Sequence, residues 1–179
     1  EALTTKVYAS TISQFVALFA MSIGQASQII IGRAVGAREI ESAYRQGLKS
    51  WCLGLAVAFS ISVVIYLLAA PIMQLFYPNQ EIIALTRKLF LLSILLELGR
   101  ATNIIVISSL NATGDVRFPF ICGIIVMWII SLPFSYCLGV YIGLGLVGVW
   151  LAYIIDEGLR AILMYRRWRS RVWTTKSMF

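Results

Sequence analysis

Histidine is absent from the 179 residues, and charge is scarce. Without imidazole there is no His-based catalytic triad and no His–Glu zinc site. With no other nucleophile arrangement standing out, the chain reads as not an enzyme. Charged residues make up 13 % of the sequence, against roughly 25 % in soluble domains. The length would suit one soluble domain, but the polar surface of such a domain is missing. Cysteine occurs only three times. Cys52, Cys122 and Cys137 lie in apolar stretches without metal-ligand spacing, so they read as small packing residues rather than ligands or disulfides.

What is present is apolar. Hydrophobic residues are 60 % of the chain and the mean hydropathy is +0.86. A helix crossing a bilayer needs about 20 mostly apolar residues. Five stretches qualify, at about 6–33, 48–76, 82–110, 118–140 and 144–165. The expected fold class is all-α, a polytopic transmembrane helix bundle of five spans. The first span is the most polar, with Ser10, Thr11, Ser13, Gln14, Ser22, Gln25, Ser27 and Gln28. Such side chains need partners in a bundle or a wet cavity. The second contains 53–70, almost free of polar groups and expected to face lipid, and Pro71 is expected to kink or end its outer turn. Tyr77-Pro78-Asn79-Gln80 reads as a short loop. Asn111-Ala112-Thr113-Gly114-Asp115 breaks the third span, with Gly114 at a left-handed or C-capping position. Pro119 is well placed near the start of the fourth span, and Pro133 inside it predicts a kink. Gly143, Gly145 and Gly148 permit close approach at the opening of the fifth.

The net charge of +7 does not point to nucleic acid, because the basic residues lie between apolar spans or at the C-terminus. Ten of them, among them Arg33, Arg38, Arg45, Arg117 and the run Arg166–Arg171, fall on one side of the expected bundle, and only Lys6, Arg87 and Lys88 on the other. Basic excess marks the cytoplasmic side. The C-terminus is therefore expected inside and the N-terminus outside, in the inner (plasma) membrane. Trp168 and Trp173 among the terminal arginines read as interface anchors, and the Arg-rich tail suits anionic membrane lipids.

Charge inside an apolar span is costly and marks a pathway, a binding site or an internal pair. Glu97 interrupts a greasy run, with Arg100 and Asn103 one and two turns on, near one helix face. An internal Glu97–Arg100 pair and a site for a proton, a cation or a cationic drug are both open. Poor solvation favours the protonated form of a carboxylate and a close arginine favours the charged form, so the two roles compete. Asp156, Glu157 and Arg160 form a second cluster, in which both carboxylates are within reach of the guanidinium. A network tying the last helix to its neighbours and a part in cation binding are both open there. Asp115 is expected to cap the helix that follows or to pair with Arg117, with gating as the alternative. Gly32, Gly36 and Gly114 read as conformational. The Gly32–Gly36 stretch is no phosphate loop, since it lacks the lysine and the strand before it. Trp128, Phe134 and Tyr136 in the fourth span are candidates for stacking on lipophilic cations.

Several motifs occur in order along the chain. Gly24-Gln25-Ala26, Ile31-Gly32-Arg33-Ala34-Val35-Gly36-Ala37, 110–119 with its glycine–aspartate turn, and Gly148-Val149-Trp150-Leu151-Ala152 followed by Arg160 and Tyr165-Arg166-Arg167-Trp168 together resemble the multidrug and toxic compound extrusion (MATE) transporters. The resemblance implies twelve helices in two six-helix lobes, of which this chain matches helices eight to twelve. Residues 1–165 would then be a partial C-terminal lobe and 166–179 a basic cytoplasmic tail. The first lobe and one further helix, or a partner half, would be the missing partner. The resemblance also implies antiport of small organic cations or drugs, coupled to Na+ or H+, with no other cofactor. It places an acidic residue in helix ten among the coupling carboxylates, which Glu97 matches. A lipid-linked precursor flippase of related fold, or a structural membrane subunit, is the alternative. The residues expected at membrane depth, Glu97, Asp156 and Glu157 against Arg100 and Arg160, are acid-rich and tilt towards cationic substrates.

Overall fold

Apolar stretches of this length satisfy their backbone in a bilayer through the internal hydrogen bonds of a helix. In a computed structural model, which describes residues 2–76 and 80–175, the chain forms five helices and no strand among those residues. The first three are α1 (Ala2–Gly36), α2 (Ile40–Phe76) and α3 (Gln80–Ala112). They are followed by α4 (Arg117–Tyr141), α5 (Gly145–Arg169) and a short 3-10 turn at Val172–Thr175. Gln14–Gly36, Ile40–Leu68, Arg87–Ala112 and Arg117–Tyr141 are long and apolar enough to cross a membrane. α5, expected as a fifth span, has a comparable length of 25 residues, but Asp156, Glu157 and Arg160 interrupt its apolar run. α2 runs through Pro71 to Phe76, so that proline does not end the helix. Residues 77–79 of the expected loop, together with Glu1 and residues 176–179, lie outside the described residues.

Two of the connections are built alike. At the end of α1, Glu39 N–H donates to Ala34 O at 2.8 Å and Arg38 N–H to Val35 O at 2.9 Å. At the end of α3, Asp115 N–H donates to Leu110 O and Gly114 N–H to Asn111 O, both at 3.1 Å. This pair of bonds is the Schellman motif, which needs one left-handed residue. Gly114 fills that place with φ 85°, as its sequence context predicts. In the first turn the residue is Arg38, φ 62°, where a side chain costs about 1 kcal/mol. Gly36 is the last residue of α1 and is not the left-handed residue of this turn.

α4 is not a uniform α-helix. It widens into i→i+5 turns at Met127–Ser131 and again at Cys137–Tyr141. Pro133 explains the first of these. It has no N–H to donate to the carbonyl four residues back, and its ring crowds that carbonyl. The kink expected at Pro133 is thus realised as a wide turn just before it.

α3 is the central helix, packed against α1, α2 and α5. At the end of the bundle where the two tight turns lie, Ile31, Val35, Ala43, Val106, Leu110, Met164, Trp168 and Trp173 form one buried cluster. Trp168 and Trp173 stack at 4.7 Å, and Trp173 Nε1 donates to Trp168 O at 3.1 Å. They are therefore corrected from interface anchors to core residues: the turn after α5 folds the second indole back over the first. The basic segment is tied down with them. Arg171 lies over the Tyr44 ring and pairs with Glu41 at 2.9 Å.

Lipid tails are as apolar as leucine, so packing and interhelical hydrogen bonds hold helices together in a bilayer. Trp150 Nε1 donates to Ser93 Oγ at 3.0 Å, and Trp51 Nε1 to Thr102 Oγ1 at 3.1 Å, joining α5 and α2 to α3. Ser108 and Ser109 of α3 turn inward on their own helix, towards carbonyls four residues back. α4 and α5 come together at Gly148, where a Cβ would overlap the Leu138 carbonyl. Gly148→Val should therefore destabilise the protein by about 1–3 kcal/mol. Gly32→Ala, where a Cβ meets nothing within 4 Å, should be neutral or stabilising by up to about 1 kcal/mol. Unfolding of the detergent-solubilised protein measures both.

Candidate functional site

α3 carries Glu97, Arg100 and Asn103 on the side that faces α5. α5 carries Asp156, Glu157 and Arg160 on the side that faces back. The two rows interlock. Arg100 Nη1 donates to Glu97 Oε1 at 3.1 Å, and its Nε lies 3.8 Å from Glu157 Oε1. Arg160 Nη2 is 2.5 Å from Asp156 Oδ2 and 3.2 Å from Glu157 Oε1. Asn103 Nδ2 donates to Glu157 Oε2 at 2.6 Å and to the Glu157 backbone oxygen at 3.0 Å. Glu157 is thus the shared acid, held by two guanidiniums and an amide. Gly99 lets the backbones approach at this level: a Cβ there would stand 3.2 Å from the Glu157 carbonyl carbon.

Of the expected pairs, Glu97–Arg100 and Asp156–Glu157–Arg160 form as their spacing predicts. Asn103 does not serve Glu97, its helix neighbour, but crosses to α5. The two clusters read separately in the sequence are one network, with three carboxylates against two guanidiniums. Burial grades along it. The side chains of Glu97 and Asp156 are 4 % and 8 % exposed, while Arg100 and Arg160 keep 26 % and 25 %. Charge this deep is stable only if paired and hydrogen-bonded. Two acceptors, Asn103 Oδ1 and Asp156 Oδ1, and one donor, Arg160 Nε, are buried without a hydrogen-bond partner.

Cavities flank the network on both sides. One, of about 450 Å3, is lined by Gln25 and Gln28 of α1 together with Asn103 and Ser108. Gln25 and Gln28, from the polar first helix, thus border this cavity. The other, of about 570 Å3, lies between α4 and α5 and is lined by Phe120, Met127, Ser131, Tyr153 and Asp156. Arg100, Glu157 and Arg160 border both and form the septum between them. Phe120, Met127 and Tyr153 were missed in the sequence, although Tyr153 stands one turn before Asp156 on the same helix face. Trp128, Phe134 and Tyr136 are exposed on α4 and line neither of these cavities. Cys52 and Cys137 are exposed, and all three cysteines are free.

Asp115 is also corrected. The residue that opens α4 is Val116, which makes no side-chain cap bond. Asp115 is buried, and its Oδ2 accepts from Arg167 Nε at 2.7 Å. Arg167 in turn lies over the Phe118 ring. This pair locks the α3–α4 turn to the end of α5.

The family model MatE matches residues 1–137. The uncharacterized transporter YisQ of Bacillus subtilis is 45 % identical over 180 residues, covering 99 % of this chain and 39 % of the relative. The probable multidrug resistance protein NorM of Halalkalibacterium halodurans is 28 % identical, covering 89 % of this chain and 34 % of the relative. A solved structure, the outward-facing conformation of a multidrug resistance MATE family transporter, superposes with a TM-score of 0.77 at 22 % identity, over 98 % of this chain and 39 % of that one. The fold is therefore shared. The chain spans about two fifths of the length of the curated relatives it matches.

The network makes a direct prediction. Removing Arg160 alone (Arg160→Met) strands Asp156 and should cost about 3–5 kcal/mol. Combining it with Asp156→Leu should cost clearly less than the sum of the single changes. A double-mutant cycle on unfolding in detergent checks this, and strict additivity would show that the pair is uncoupled.

Proposed function

The chain belongs to the MatE family, and on that premise we propose that it is part of a secondary antiporter that exports small organic cations or drugs. H+ or Na+ supplies the drive, and alternating access is the mechanism, in which two lobes rock about a central site. The observation that carries this reading is the buried, acid-rich network between α3 and α5 with a cavity on each side. A structural subunit needs only helix packing. It has no use for five ionisable groups that cost free energy to bury.

Within this mechanism Glu97 is the coupling carboxylate. It is the most buried acid of the network and is joined to α5 through Arg100 and Glu157. A proton or cation at Glu97 competes with Arg100 for the same carboxylate. Occupancy therefore alters how firmly α3 and α5 are held together. The remainder of the full-length protein forms the facing wall of the cavity next to α1. The excess of arginine at the end holding both tight turns and the end of α5 supports placing that end in the cytoplasm, in the plasma membrane. The flippase reading is the weaker one. A pyrophosphate needs unoccupied cations, and both guanidiniums of the septum already contact carboxylates.

Glu97→Gln in the complete transporter should abolish gradient-driven drug efflux, to below about a tenth of the wild-type rate. Transport into vesicles under an imposed H+ or Na+ gradient is the measurement. Wild-type rates with unchanged ion dependence would overturn the assignment.

A further inference from the structure

The two cavities share Arg100, Glu157 and Arg160 and differ in the rest of their lining. The one beside α1 adds Gln25, Gln28, Asn103 and Ser108 with Met21, Ile104 and Ile107, whereas the one between α4 and α5 adds Phe120, Met127, Tyr153 and a second acid, the buried Asp156. That acid is engaged on one side only. Its Oδ2 accepts from Arg160, while its Oδ1 is buried without a hydrogen-bond partner. If all its members are ionised, the network carries one negative charge in excess. A carboxylate oxygen in need of a positive partner, walled by aromatic rings and a thioether, is the chemistry that holds an organic cation.

The position of the cavity adds an entry route. Phe120, Ile124 and Met127 line it and are also exposed on α4. Their neighbours Ile121, Ile125 and Ile129 are exposed too, so the cavity opens onto an apolar helix face. Met127 and Ser131 begin and end the wide turn before Pro133, and such turns are frequent at functional sites.

We propose that the α4–α5 cavity is a lateral binding subsite for lipophilic monovalent organic cations, with Asp156 as counter-charge and Phe120, Met127 and Tyr153 as walls. It is entered from the bilayer side and is separated from the cavity beside α1 by the Arg100–Glu157–Arg160 septum. This rests on the transporter reading above but concerns a different acid.

The test uses the complete transporter in nanodiscs and ethidium as the probe, with binding followed by its fluorescence. Asp156→Asn should raise the dissociation constant about tenfold. Phe120→Ala, which trims an exposed side chain and leaves the charged network intact, should raise it about threefold. Val140→Ala, exposed on the same helix but away from the cavity, should leave it unchanged. Phenanthridine, the uncharged parent ring system, should not distinguish Asp156→Asn from wild type. Unaltered ethidium affinity in both Asp156→Asn and Phe120→Ala overturns the proposal. So does loss of binding in Glu97→Gln with none in Asp156→Asn, which would place the cation at Glu97. Should Asp156→Asn fail to fold, Phe120→Ala against Val140→Ala decides alone. Gradient-driven transport is a separate readout: if the wild-type protein binds ethidium as described but moves no drug under any gradient, the antiport reading fails and this subsite stands.

Discussion

A carboxylate at the middle of an apolar helix stays charged only where something of opposite charge is held against it. Glu97 meets that condition through Arg100, one turn along the same helix. Arg100 is itself part-buried and leans on Glu157 from α5. Glu157 is shared with Arg160, and Arg160 with Asp156. The shared acid Glu157 thus fixes the register of α3 against α5 through contacts spread over one to two turns. Sliding α5 by one residue would turn Glu157 away from Arg100 and Asn103 and leave only the ion pairs internal to each helix. In a bilayer, where apolar burial adds little to helix association, such a constraint does more to align two helices than leucine packing does.

The end of the bundle at the two tight turns answers a different demand. There α1 and α3 stop in matching Schellman motifs, and the turn after α5 covers the core with stacked indoles. Asp115 and Arg167 pin α5 to the α3–α4 turn. Charge and aromatic packing coincide here, since Arg167 and Arg171 each pair with an acid and each lie over a ring. The arginines that read as a basic tail suited to anionic lipids are partly structural. α4 joins this scaffold differently, through the close contact at Gly148 and a helix loosened by wide turns around Pro133.

Much of this was legible in the sequence because it is local. Apolar runs gave the helices, Gly114 gave the second turn, and spacings of three and four gave Glu97–Arg100 and Asp156–Glu157–Arg160. What was not legible depends on how helices meet. Asn103 sits near Glu97 on its own helix, yet its partner is Glu157, 54 positions away. Asp115 had a plausible local role as a cap and lost it to Arg167, 52 positions away. Trp168 and Trp173 misled because Trp among arginines fits a membrane interface equally well; only the chain reversal at Arg171, φ 56°, decides for the core. The left-handed Arg38 was hidden for a similar reason: Gly36, two residues earlier, is the residue type that such a turn ordinarily uses.

The uneven solvation of the network bears on why it is charged at all. An ion pair that only aligns helices gains nothing from water at its edge and is often matched by apolar side chains of the same volume. Here both guanidiniums border cavities, and the driest groups are the carboxylates at the two ends, Glu97 and Asp156. Each of these acids is held by a guanidinium that is also in contact with Glu157. A positive ligand that satisfies either end acid weakens that acid's hold on its arginine and frees the arginine to bind Glu157 more fully. The far arginine is then drawn less towards Glu157, whose charge is already better neutralised, and holds its own acid more firmly. The septum thus places one shared carboxylate, Glu157, in contact with two guanidiniums that border both cavities.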